Sequence, residues 1–238
     1  MASKQTLVTV RVIAKDGKFL GDDIGGSLVT IRNVETGVML AQGYTKGGSG
    51  NTTQIMETPR TRSQPIPTDE ASEFTARLEI DEPAFIEVTA YGPIGGLQSA
   101  HKVSATQWVM PGKNITRGDA FLLEIPGLLV QVLEPPTHLS LSSLPGNVTI
   151  SANVMMMCGC PITPGGVWNS EHFEIAAQIR KEGKIIDTVK LVYAGSPSQF
   201  TGSWSVKRKG YYEAIVYAFQ PATGNTGLGR VTFFYMPD

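Results

Sequence analysis

The sequence is short of cysteine, of excess charge and of long apolar runs, and each shortage excludes something. Two cysteines in 238 residues, Cys158 and Cys160, cannot build a framework of separated bridges, because a bond between them would close almost no loop. Twenty basic against 21 acidic side chains leave a formal charge of −1. That balance supplies no general field for a phosphate backbone, so nucleic acid is not an expected partner. No run of about 18 apolar residues occurs, and hence no transmembrane segment is expected. The opening, Met1-Ala2-Ser3-Lys4-Gln5, lacks an apolar h-region; the expectation is a soluble chain with no signal peptide and no assigned compartment.

Catalytic motifs are equally scarce. There is no Gly-x-Ser-x-Gly elbow, and Gly47-Gly48-Ser49-Gly50-Asn51 lacks the Lys-Ser/Thr pair and following helix that would cradle a phosphate. His101, His138 and His172 stand far apart, with no His-x-His or His-Glu-x-x-His spacing. Asp22 with Asp23, and Glu79 with Asp81 and Glu82, lack the regular oxygen series of a calcium loop. No catalytic residue can be assigned. The glycosylation triplets at Asn51, Asn114 and Asn147 matter only in a eukaryotic secretory chain.

What the sequence does have is turns and alternation. Twenty-six glycines and 15 prolines lie between short apolar stretches, as in a chain with many turns and few helices. Val8, Val10 and Val12 share one face of a strand pattern, and so do Phe74, Ala76, Leu78 and Ile80. Leu28–Asn33 and Val38–Ala41 flank Glu35-Thr36-Gly37 as a hairpin. Ala120–Ile125 and Leu128–Leu133 flank Pro126-Gly127.

In the second half, Asn147–Met155, Phe173–Ile179, Ile185–Tyr193, Phe200–Val206, Tyr211–Phe219 and Leu228–Tyr235 read as strands. Both faces of Tyr211–Phe219 are largely apolar, which places it inside a sandwich or against the neighbouring domain. No window offers three turns of helical periodicity. Pro135-Pro136 cannot donate to a ladder and stiffens the chain as a linker would. The reading is all-β: two tandem Greek-key-like β-sandwich domains, 1–134 and 135–238, the first with a long irregular loop over 45–70 that protrudes as a contact arm.

Val8-Thr9-Val10, Asp16-Gly17, Val29-Thr30-Ile31, Thr36-Gly37 and Ala41-Gln42-Gly43-Tyr44-Thr45 together resemble the opening of a transthyretin-like or carboxypeptidase-regulatory-like β-sandwich. Members of that family are usually non-catalytic modules attached to enzymes, carriers or surface proteins. The long 45–70 segment departs from the family pattern. The C-terminal part broadly resembles an immunoglobulin-like accessory domain, although Cys158 and Cys160 cannot form the Cys…Trp…Cys arrangement of a true immunoglobulin domain.

Met155-Met156-Met157-Cys158-Gly159-Cys160-Pro161 is the least ordinary string. Two thiolates two positions apart suit one soft metal ion, copper or zinc, with Met157 and His172, or His138 in its place, as further ligands. The same residues also read as buried core or as a redox thiol pair. Trp168, in a glycine-rich loop, and Trp108 are candidate partner anchors, with a core position as the other reading for Trp168. Sugar stacking on either ring would need an exposed face. Lys207-Arg208-Lys209 forms a basic turn suited to docking. The leading expectation is a non-enzymatic β-sandwich accessory, structural or assembly protein, acting on a protein partner or as a homo-oligomer and needing no cofactor. The alternative is a soft-metal protein, or metal-dependent enzyme, built on the Cys158/Cys160 loop.

Overall fold

Alternation of buried residues with more exposed ones marks the core-facing strands of this chain, most regularly over Phe74–Ile80, Ala84–Gly92 and Gly146–Met156. A computed structural model describes residues 4–141 and 146–236; the expectation drawn from the chain start rests on Met1, Ala2 and Ser3, which lie outside them. Chain contacts divide the protein into two units, 1–126 with 157–159, and 127–156 with 160–238. Each unit is a pair of β-sheets.

The first unit holds seven strands: β1 (Lys4–Ala14), β2 (Leu28–Asn33), β3 (Met39–Tyr44), β4 (Phe74–Ile80), β5 (Ala84–Gly92), β6 (His101–Val109) and β7 (Phe121–Ile125). One sheet has the order β4-β1-β7 and the other β3-β2-β5-β6. Val8, Val10 and Val12 are fully buried, as are Val29, Ile31, Ile86, Val88 and Ala90. The period-two pattern therefore fills one interior from both sheets. The strands that carried the transthyretin-like resemblance are β1, β2 and β3.

The second unit holds nine: β8 (Leu128–Glu134), β9 (Leu139–Leu141), β10 (Gly146–Met156), β11 (Glu174–Lys181), β12 (Lys184–Lys190), β13 (Val192–Tyr193), β14 (Gln199–Val206), β15 (Gly210–Gln220) and β16 (Asn225–Tyr235). They form sheets β13-β14-β10-β8 and β12-β11-β15-β16-β9. The double-sided strand expected at Tyr211–Phe219 is β15, inner in its sheet between β11 and β16. Glu182 and Gly183, both at positive φ (51° and 78°), make the tight turn between β11 and β12, a conformation glycine adopts freely.

Two features differ from the sequence expectation. The apolar segments on either side of Pro126-Gly127 join different sheets, β7 pairing in parallel with β1 and β8 antiparallel with β10. The division of the chain accordingly falls at 126/127, ahead of the proline pair at 135–136. The 45–70 segment is also no free arm. Ile55 sits in a short helical turn over Thr53–Glu57 and is buried with Ile13, Phe19 and Ala71, against which Met56 and Ile66 pack. The Ile66 amide donates to Asp119 Oδ1 at 2.7 Å. Burying Ile55 contributes about 1.5–3 kcal/mol toward holding the loop back, and the half-buried Ile66 adds less.

Candidate interaction surface

The Met-Cys string is interior. Met156, Met157 and Cys158 are fully buried and Cys160 nearly so, and the Met156 amide donates to the Cys160 carbonyl at 3.1 Å, closing the turn. Gly159 takes a φ of +76° at its tip. The two cysteines are disulfide-bonded. The two sulfurs proposed as copper or zinc ligands are thus committed to a disulfide, and Met157 lies buried beside them. His172 is exposed at the end of a short helix over Ser170–His172. Among the described residues, no group of three or more His, Cys, Asp or Glu could hold a metal ion.

Because the ring closes so few residues, replacing both cysteines with serine is expected to lower stability by only about 1–2 kcal/mol. Chemical denaturation with and without reductant measures this. Elemental analysis after anaerobic purification should find no stoichiometric copper or zinc that the serine variant then loses.

The aromatic candidates separate. Trp168 is 6% exposed, and its carbonyl accepts the Thr163 amide at 3.0 Å; the core position weighed for it is the one it takes, and little of its ring reaches the surface. Trp108 is 49% exposed and stacks on Phe85 with ring centroids 5.1 Å apart. One face of its ring is therefore occupied by a neighbour on β5.

Lys207, Arg208 and Lys209 are exposed on the turn between β14 and β15. They overlook a cleft of about 310 Å³ whose wall includes Lys181, Asp187, Trp204 and Tyr212. Two of the cleft's side-chain donors are matched within the fold. Trp204 Nε1 donates to Asp187 Oδ2 at 2.8 Å, and the Tyr212 hydroxyl donates back to the Arg208 carbonyl at 2.5 Å. A tyrosine near the start of a strand bonded to backbone a few residues upstream is the tyrosine corner of immunoglobulin-like sandwiches. The basic turn is held by this corner, and Arg208 contributes its carbonyl. Trp204, absent from the sequence candidates, is the aromatic on which the corner rests; its place in the Phe200–Val206 alternation was the available signal.

Burial pushes the Tyr212 phenol above its ordinary value, with nearby Arg208 opposing the shift. Burial raises Tyr235 as well. A raised phenol pKa favours the protonated folded state, so its contribution is complete below about pH 10, where an unfolded tyrosine begins to ionise. That contribution is lost as pH climbs through the folded value. Stability is expected to fall above about pH 10, and Tyr212→Phe should flatten the fall while costing about 1 kcal/mol at neutral pH. Urea titrations from neutral to alkaline pH test both effects.

The sheet edges differ sharply in protection. β12 carries Lys184, Asp187 and Lys190, and a register irregularity next to Ile179 leaves Ile186 without a partner. β13 and β9 are two and three residues long. β8 is covered, since a Cβ at Gly227 would lie 2.3 Å from the Leu128 carbonyl oxygen. β3 is capped by the Phe74 ring over Gly43, while β4 holds Arg77 and Glu79 and β7 holds Glu124.

β6 has fewer of these devices: its charge is confined to Lys102 near one end, and β7 of the facing sheet approaches it. β6 pairs with β5 through nine consecutive residues without a shift, ends its sheet, and carries no charge from Val103 to Val109. Lys102 and every residue from Ser104 to Trp108 are exposed. Such an edge is a template for a further strand. Sequence reasoning missed it, because with both faces of 104–108 exposed there is no apolar alternation to see.

No family model matches this sequence, and no curated protein sequence shows detectable similarity to it. The chain is a tandem β-sandwich protein. Among solved structures, fibronectin(III)-like modules of Clostridium thermocellum CbhA align over 98% of this chain and 94% of theirs, at 11% identity and a TM-score of 0.32. A titin structure aligns over 99% and 100%, at 12% identity and a TM-score of 0.26. An engineered protein is similar over half of this chain, which spans 22% of its length, at 17% identity and a TM-score of 0.35. No helix among the described residues is long and apolar enough to cross a membrane.

Proposed function

We propose that this chain is a non-enzymatic accessory or assembly protein whose two sandwiches act through protein–protein contacts. The observation that carries the reading is β6, a nine-residue strand that ends its sheet with no further strand paired to it among the described residues and whose half-exposed Trp108 offers an aromatic anchor beside it. The basic turn at 207–209 is a second contact region, presented rigidly by the Tyr212 corner. The transthyretin-like character of the first sandwich and the immunoglobulin-like character of the second fit this role; the second has its support in that corner and in the parallel pairing of β9 with β16.

The test is light scattering of the purified chain, alone and mixed with the products of its neighbouring genes. A complex or a self-assembled species is expected. A chain that stays monomeric and binds none of these proteins refutes the proposal.

A further inference from the structure

Resting on that reading, the geometry points to a second copy of this chain as the occupant of the β6 edge, joined antiparallel about a two-fold axis at Ala105. The first step is the direction of the backbone groups. Val34 continues the β2–β5 register after the Asn33–Ile86 pair, and its amide donates to the Phe85 carbonyl at 2.8 Å. Phe85 therefore turns its N–H and C=O toward β2. Its partner on the other side, Trp108, belongs to a non-hydrogen-bonded pair, so the N–H and C=O of Trp108 face away from β5. Alternation gives the same direction to Lys102, Ser104 and Thr106. All four are exposed, and their outward groups form a regular row with no strand beyond it among the described residues.

The second step is self-complementarity. An axis at Ala105, the middle residue of His101–Val109, lets two β6 strands overlap along their whole length. Ser104 then faces the other copy's Thr106, and Lys102 faces the other copy's Trp108. Each outward N–H and C=O in the row finds its counterpart. The two Lys102 ammonium groups stay apart at opposite ends, each beside an indole ring on the same outer face, an arrangement that favours a cation over an aromatic. Moving the axis to Ser104 or Thr106 would carry Trp108 or Lys102 past the end of the opposing strand. The small side chains Ser104, Ala105 and Thr106 occupy the middle, where the backbones approach most closely.

The experiment uses the full chain. Sedimentation or light scattering across a concentration series should show a species of about twice 25.6 kDa that dissociates on dilution. Thr106→Pro removes an outward N–H without touching the β5 ladder, and is expected to leave a monomer with an unchanged circular dichroism spectrum. Trp108→Lys, which sets two lysines opposite each other, should weaken dimerisation at least about tenfold; Lys102→Glu combined with Trp108→Lys should restore it.

Ala105→Cys tests the axis on an otherwise native edge. The native cysteines are already bonded, and the two copies of residue 105 would form a non-hydrogen-bonded pair with Cα atoms within disulfide reach. Mild oxidation should therefore link Ala105→Cys into a covalent dimer and leave Gln107→Cys, whose opposite residue is Val103, unlinked. A dimer that survives Thr106→Pro, or equal cross-linking at 105 and 107, overturns this inference and leaves the contact-module reading standing. A native chain that is monomeric throughout overturns it as well; if that chain also binds no partner protein, the broader reading falls with it.

Discussion

Trp204→Ala is expected to lower the stability of the second sandwich by about 3–5 kcal/mol. Trp204 is 8% exposed, and its ring lies 5.2 Å from Tyr212 and 6.3 Å from Phe233. Those two rings stack on each other at 5.5 Å. Truncation would open a void bounded by rigid rings on different strands, which cannot collapse into it easily. It would also take a wall from the Tyr212 corner and so loosen the basic turn at Arg208.

Trp204→Phe keeps most of the apolar volume and removes the indole N–H that meets the exposed Asp187. Water can solvate that carboxylate, so the cost should be about 1 kcal/mol. Denaturant unfolding followed by far-UV circular dichroism separates the two variants. Equal losses would mean that the hydrogen bond, and not packing, carries the contribution of Trp204.

Gly227→Ala is the second large effect. A methyl group there would sit 2.3 Å from the Leu128 carbonyl oxygen and 2.8 Å from Val130 Cγ2, so β8 would have to move away from β16. The obstruction includes backbone and cannot be relieved by a rotamer change, which puts the cost at about 3 kcal/mol, at the upper end for overpacking. The adjacent Thr226→Ala, at an exposed position of the same strand, should change stability by less than about 0.5 kcal/mol. Matching unfolding midpoints for the two variants would contradict the close approach of β8.

Strands with one wet and one dry face were legible in the sequence. Val8, Val10 and Val12 and the Phe74–Ile80 series announce themselves by period two, and the structure buries the residues so marked, with Phe74 only partly covered. β6 was not legible, for the physical reason that makes it interesting: a strand wet on both faces carries no hydrophobic alternation. Pro126-Gly127 marked a break between two apolar segments, but local chemistry says nothing about which sheet each segment joins. β7 finds its partner in β1, more than a hundred residues earlier.

The candidate site shows the same division. Met157, Cys158 and Cys160 stood out as soft-metal ligands by residue type and spacing, yet spacing alone does not distinguish two thiolates around an ion from two sulfurs joined to each other. Trp108 and Trp168 were both candidate anchors in the sequence and separate only on folding, one half-exposed on an edge and the other buried, the core position already weighed for it. The single isoleucines at 55 and 66 carried no pattern, and their burial against Phe19 came from tertiary contact.

By itself the sequence determined the class of fold, because side chains alternate across a strand and apolar alternation must be covered by a second layer. It determined too that no familiar catalytic spacing is written in the chain. Only the tertiary structure decided which strands end their sheets and which way their backbone groups point. Hydrogen-bond partners are chosen between segments distant in the chain, and the exposure of an edge is a property of what fails to pair with it.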